Sequence, residues 1–326
     1  MALLNPPDVV PEAMRFLVRT VLAFPDCTCS QDELVSLVAP EGLVEAMRAI
    51  GTAVDPAAEG VDVKTGGSKI AEESLGALRR LRLVGVSGGV VTATETTTST
   101  WRASKDVTAK SFARRVRHSL WQVAGEDDRE AVADLVQAAA LLAAAPEPLQ
   151  PFDGFDEPTA NRRFDQYQIS QLGSVQADWA VGNLERWRTF RRFAPYLGLA
   201  VPVGTKVGPS VSARGLLPDS SAALAEDLLD LEPGLYDIAA FVDACAGALP
   251  FLDGGPFAVV DDRSAQELSG GLSLSLRQLE ASNHLTLLHE SDAGTRVLAL
   301  GSEAGARSTI SHVRWVGSAK QVRSRS

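Results

Sequence analysis

Three short stretches carry residue types that could do chemistry. Asp261-Asp262 follows the strand-like Phe257-Ala-Val-Val260, and paired acids can hold a divalent ion. Thr65-Gly-Gly-Ser-Lys69 has the outline of a phosphate loop, and Cys27-Thr-Cys29 offers two thiols. None is complete. The acid pair lacks an acid-then-lysine partner nearby, and Asp-Asp-Arg-Ser is an ordinary turn leading into a helix cap. The glycine stretch lacks the first glycine and the Gly-Lys-Ser/Thr order that cradle a triphosphate. Cys27 and Cys29 have no second ligand pair at zinc spacing, and His118, His284, His289 and His312 are scattered. No Ser, His and Asp set stands out. The expectation is a protein without a catalytic centre, metal or cofactor.

The remaining chemistry is charge. The 326 residues carry 31 Lys+Arg against 41 Asp+Glu, a net of −10, which argues against a general nucleic-acid coat. The charge is unevenly distributed. Between Trp101 and Trp121, Arg102, Lys105, Lys110, Arg114, Arg115 and Arg117 face one acid, Asp106. Between Leu184 and Phe193, Arg186, Arg188, Arg191 and Arg192 stand against Glu185, and the tail adds Arg307, Arg314, Lys320, Arg323 and Arg325 without an acid. Acids concentrate at Glu126–Glu130 and Glu226–Glu232. Arg79, Arg80 and Arg82 end a leucine-striped segment, which suits an exposed helix meeting phosphate. Arg79, Arg80 and Arg82, with the basic segment from Arg102 to Arg117, are therefore the candidate DNA contacts. Arg186, Arg188, Arg191, Arg192, Arg314, Lys320 and Arg323 are candidate partner or tail contacts. Trp187, Phe190 and Phe193 recur at helical spacing and read as core.

These residues need elements to position them. Pro11 to Ala23 predicts a helix, Ser30 with Glu33 a capping box opening a second one, and Gly42 to Ile50 continues helical before a loop over Asp55–Ser68. Lys69–Arg82 predicts a third helix that feeds a hairpin over Leu83–Thr92, turned at Ser-Gly-Gly. Three helices and a two-stranded ribbon are the order of a winged helix-turn-helix domain. The order returns near the C-terminus: helices over Leu235–Leu249, Ser264–Leu268 and Leu272–Asn283, then a hairpin of Leu285–Glu290 with Thr295–Leu300. Ser74–Val86 can be laid over Ser275–Leu287. The third helix of this repeat carries only Arg277, offset by Glu280, so protein docking suits it better than DNA.

The segment between is helical, with turn-rich breaks at Pro146–Pro158 and Val201–Pro218. The expected class is mainly α with small β-hairpins: winged-helix-like domains at 1–100 and 225–326 flank a helical domain at 101–224. Ala131–Ala145 carries Asp134 and Gln137 and ends at Pro146, which makes it a soluble helix rather than a span. Three cysteines make no disulfide framework and no signal segment opens the chain, so a cytoplasmic place is expected.

Leu3-Leu-Asn-Pro-Pro-Asp8, Asn183-Leu-Glu-Arg-Trp-Arg-Thr-Phe-Arg-Arg-Phe-Ala-Pro-Tyr-Leu-Gly-Leu-Ala200 and Arg307-Ser-Thr-Ile-Ser-His-Val-Arg-Trp315 resemble the DpdG family. These proteins are encoded in bacterial clusters that insert 7-deazaguanine derivatives into DNA and restrict unmodified DNA. The resemblance implies an accessory member of such a system, working beside other cluster proteins, and supplies no catalytic residues. Three roles remain open: a non-enzymatic adaptor touching double-stranded DNA weakly or within a complex, a transcriptional regulator of the cluster, and an assembly module without DNA contact. None involves a membrane.

Overall fold

The computed structural model describes residues 3–5, 8–38, 66–126, 129–152, 163–173, 179–207, 211–259, 264, 266–291, 293–300 and 308–317. The chain divides into two compact units, Met1–Val132 and Ala133–Ser326. The boundary falls inside the segment expected as a central helical domain.

In the first unit, α1 (Pro11–Val21) starts on a proline, whose missing N–H is harmless in a first turn, and buries Met14, Leu17, Val18 and Val21. Strand β1 (Thr28–Ser30) leads into α2 (Gln31–Val38), where the Glu33 N–H donates to Ser30 Oγ at 3.2 Å, the cap foreseen from the sequence. The helix expected over Gly42–Ile50 lies outside the described residues. Helix α3 (Gly66–Arg80) begins earlier than expected, within the presumed loop. Strands β2 (Val84–Ser87) and β3 (Val90–Ala93) are joined by Gly88-Gly89, both at positive φ as a two-residue hairpin turn requires. The antiparallel order is β1-β3-β2. Helices α4 (Glu95–Thr100) and α5 (Ala109–Ala124) follow; Thr108 and Ser111 cap α5 reciprocally.

The second unit opens with α6 (Ala133–Ala143), whose alanines let it be buried on nearly all sides. Helices α7 (Arg163–Leu172) and α8 (Leu184–Tyr196) bring Phe164, Trp187 and Phe190 together with Phe152, ring centroids 5.6 Å apart for Phe164–Trp187. Trp187, Phe190 and Phe193 of α8 are core, as their spacing predicts. Within Val201–Pro218, expected as a turn-rich break, β4 (Val201–Val207) and β5 (Val211–Leu217) instead pair as an antiparallel ribbon. Val201 and Val203 open that ribbon at strand spacing, paired with Leu217 and Gly215.

Helix α9 (Ser221–Asp227), strand β6 (Gly234–Asp237), α10 (Ile238–Ala248) and α11 (Gly270–Ala281) come next. The expected helix from Leu235 therefore begins as a strand, because Asp237 is an N-cap that accepts the Ala240 N–H at 2.8 Å. Instead of a short helix at 264–268, Glu267 bridges to Val297. Strand β7 (Leu285–Leu288) pairs not with residues 295–300 but with β10 (His312–Trp315), giving the order β6-β10-β7. Between them β8 (Arg296–Val297) pairs with β9 (Thr309–Ile310). The strand needed Val313 and Trp315, both buried, to complete the core face.

The two units share an order and a register. α1-β1-α2-α3-β2-β3 corresponds to α9-β6-α10-α11-β7-β10, and both three-stranded sheets place the last strand in the middle. The correspondence reaches single hydrogen bonds. Leu83 N–H donates to Leu78 O and His284 N–H to Leu279 O, both at 2.9 Å, each past a non-glycine residue at left-handed φ: Arg82 at 56° and Asn283 at 58°. Gln31 N–H donates to Gly89 O as Ile238 N–H does to Ser311 O. The two segments laid together from sequence, Ser74–Val86 and Ser275–Leu287, are thus structurally equivalent in that same register.

Candidate nucleic-acid interface

The cations of α3 lie on the side left open by its packing stripe. Ala71, Ser74, Leu75, Ala77 and Leu78 are buried, while Lys69, Glu72 and Arg79 are exposed. Arg79 has no ion pair among the described residues. Arg80 is half-buried, its Nη1 enclosed and its Nη2 near Gly76, where a Cβ would stand 4.0 Å away. Arg82 sits just past the helix end, where a cation favours the helix dipole, and its guanidinium pairs with the Glu126 carboxylate. Lys69 Nζ lies 2.9 Å from Asp8 Oδ2 and 3.9 Å from Glu73 Oε1. Glu73 in turn accepts the Asp8 N–H at 3.0 Å.

The second basic segment is not one surface. Arg102 and Lys105 are exposed around the turn Ser104–Asp106, and Lys110 is exposed in the first turn of α5. Arg114 and Arg115 are half-buried with enclosed Nε atoms, and desolvation lowers the Arg115 pKa. Arg117, expected among the DNA contacts, is 1% exposed. It cannot meet phosphate where it stands. The pattern contained the signal: Ala113, Val116, Arg117, Leu120 and Ala124 follow helical spacing, so Arg117 falls within the buried stripe of α5.

In the second unit, Arg188 and Arg192 are exposed on α8, whereas Arg186 and Arg191 are half-buried. Arg186 Nη1 donates to Trp179 O at 3.3 Å, and Arg188 stands 3.6 Å from Glu185. Arg314 is exposed on β10; Lys320 and Arg323 lie outside the described residues. Helix α11, the counterpart of α3, is covered. Gly270 and Gly271 approach α6 and the residues after it so closely that a Cβ would come within 2.2 Å of Ala145 O and 2.6 Å of Ala143 O. Gly270 through Leu276 are all buried. Arg277 is held by Glu280 and Ser308.

Thr65 and Asp261-Asp262 fall outside the described residues. Among the described residues, no group of three or more His, Cys, Asp or Glu could hold a metal ion. Cys27 is half-buried, Cys29 buried, and Cys245 fully enclosed. Desolvation, then the charge of Asp253, pushes the Cys245 thiol up beyond any ordinary thiol value. His284 stacks on Trp315, and His312 Nδ1 lies 3.0 Å from Ser311 Oγ and 3.7 Å from Glu290. No helix among the described residues is long and apolar enough to cross a membrane.

Fold and site define a mixed, mostly helical protein with small antiparallel sheets, in which Arg79 and Arg82 are exposed at the end of one helix of the first unit. The chain belongs to the DpdG-like family, whose model matches residues 1–293. That span includes two of the three resembling motifs and ends before β8. No curated protein and no solved structure matches the chain.

Proposed function

We propose that this chain is a non-enzymatic, DNA-associated accessory protein of a bacterial system that modifies DNA with 7-deazaguanine and restricts unmodified DNA. It works in the cytoplasm with other proteins of the same cluster in defence against foreign DNA. Family membership supports the setting. The order of elements and the β1-β3-β2 sheet support reading the first unit as a winged helix with α3 as its recognition helix. One observation carries the DNA contact: Lys69 and Arg79 on α3 and Arg82 just past its end are exposed, whereas the equivalent helix α11 is covered. Contact belongs to the first unit, and the second unit serves docking.

Binding of the full chain to a duplex of about 25 base pairs, followed by fluorescence anisotropy across a salt series, tests this reading. Replacing Arg79 and Arg82 by alanine should weaken binding and lower the salt slope by about one, since each phosphate contact contributes about 0.9. Unchanged affinity and slope would remove α3 from the interface and favour the assembly module. A fixed footprint upstream of the cluster genes would instead favour a transcriptional regulator.

A further inference from the structure

The open face of α3 carries its own competitors. Arg82 is engaged by Glu126, which follows α5, and Lys69 by Asp8 and Glu73. A carboxylate on a recognition-helix arginine occupies the place that a phosphate oxygen would take, with the same charge sign and the same guanidinium partner. We infer that Glu126 is an internal phosphate mimic that holds Arg82 and keeps duplex binding weak until it is displaced. This rests on the proposed DNA contact through α3.

The geometry favours reversible competition over a fixed structural pair. The Arg82 and Glu126 side chains are 47% and 40% exposed, so water and salt already screen the pair and it is worth little to the fold. Arg82 is held in position independently of Glu126: its backbone is fixed at left-handed φ by the Arg82 N–H bond to Arg79 O at 3.0 Å, and its carbonyl accepts Thr94 Oγ1–H at 2.9 Å. Releasing Glu126 therefore frees the guanidinium without unravelling the helix end. Arg79, one turn earlier on the exposed side, remains open throughout, which leaves a weak basal contact. DNA and Glu126 exclude each other at Arg82.

The test is duplex binding by the full chain, with thermal melting as the fold control. Glu126→Gln should tighten binding about threefold to fivefold, the upper part of the range an exposed ion pair spans. It should also steepen the salt slope by about one, as one more phosphate is neutralised. Glu126→Gln combined with Arg82→Ala should lose the whole gain, and Glu95→Gln, an exposed acid in the first turn of α4, should change affinity less than twofold. A gain that survives Arg82→Ala, or that Glu95→Gln matches, overturns the mimic as a mere change of net charge. No gain from Glu126→Gln, while Arg79→Ala with Arg82→Ala still weakens binding, overturns the mimic and leaves the DNA contact standing. If neither set changes binding, both fall.

Discussion

The Ser220 N–H donates to the buried hydroxyl of Ser275 at 2.8 Å, tying the start of α9 to the middle of α11. The Ser275 hydroxyl in turn donates to Gly271 O at 2.7 Å. In the first unit, Val10 N–H donates to Ser74 Oγ at 3.2 Å, the equivalent bond between the start of α1 and the middle of α3. A residue preceding a first helix has an orphan N–H, and a small buried hydroxyl on the third helix satisfies it without disturbing the packing. Ser275→Ala should destabilise the second unit by about 1–2 kcal/mol, and Ser74→Ala the first by about 1 kcal/mol, because the latter bond is longer and only partly buried. Chemical denaturation of each variant measures both.

Gly270 and Gly271 are fixed by what lies against them rather than by their own φ. Gly271→Ala would drive a methyl into Ala143 O and should cost about 3 kcal/mol, at the upper end for an overpacked contact. The same change at Gly76 on α3, where the nearest atom is an arginine nitrogen 4.0 Å away, should be neutral or stabilising by a few tenths of a kcal/mol. The melting temperature of Gly271→Ala should fall, while that of Gly76→Ala should stay level or rise.

Arg117 separates stability from binding. Removing its enclosed side chain should lower stability by about 2–4 kcal/mol through the cavity it leaves. The folded fraction of Arg117→Ala should then bind duplex like the parent chain, while Lys110→Ala, at an exposed position, should leave the melting temperature unchanged. Loss of binding by well-folded Arg117→Ala would place this arginine at the interface after all.

The second sheet depends on residues beyond the span that the family model matches. A chain ending at residue 307 lacks β10, the middle strand, and with it Val313 and Trp315 from the core. It should lose the cooperative unfolding of the second unit and gain exposed apolar surface, read by dye binding. A cooperative transition that survives would mean that β6 and β7 close without their shared neighbour.

Thiol reactivity should follow burial. The attacking species is the thiolate, so a raised pKa lowers the reactive fraction at pH 8, and enclosure removes access as well. Cys27, half-buried, should react first with an aromatic disulfide; Cys29, whose pKa is raised by desolvation and then by Glu33, should react more slowly. Cys245 should react only on unfolding, and raising the pH within the native range should speed Cys29 but leave Cys245 silent.

Local order was legible where a residue's neighbours in the chain are also its neighbours in the fold. The stripe of α1, the Ser30 cap, the Gly88-Gly89 turn, the core aromatics of α8 and the repeat linking Ser74 to Ser275 all arise from helical period, capping chemistry or turn geometry. The strand partner of β7 was not legible, because the nearer run at residues 295–300 is as apolar as β10, and only β10 carries a valine and a tryptophan into the core. The start of α10 is not legible locally, because Leu235 and Tyr236 suit a helix or a strand and only the Asp237 cap separates the two.

The sequence by itself determined the helices α1, α2, α3 and α11, the Ser30 cap, which residues are positively charged and that one arrangement occurs twice. Tertiary structure alone decided which of those charges are available. Arg117 went into a core, Arg82 met a carboxylate 44 positions away, and Gly270 with Gly271 let α11 be covered while α3 stayed open. Periodicity reports the face on which a side chain lies. The groups opposite that face come from elements distant in the chain, and the energy of a buried or paired charge depends on those groups rather than on the residue's own position.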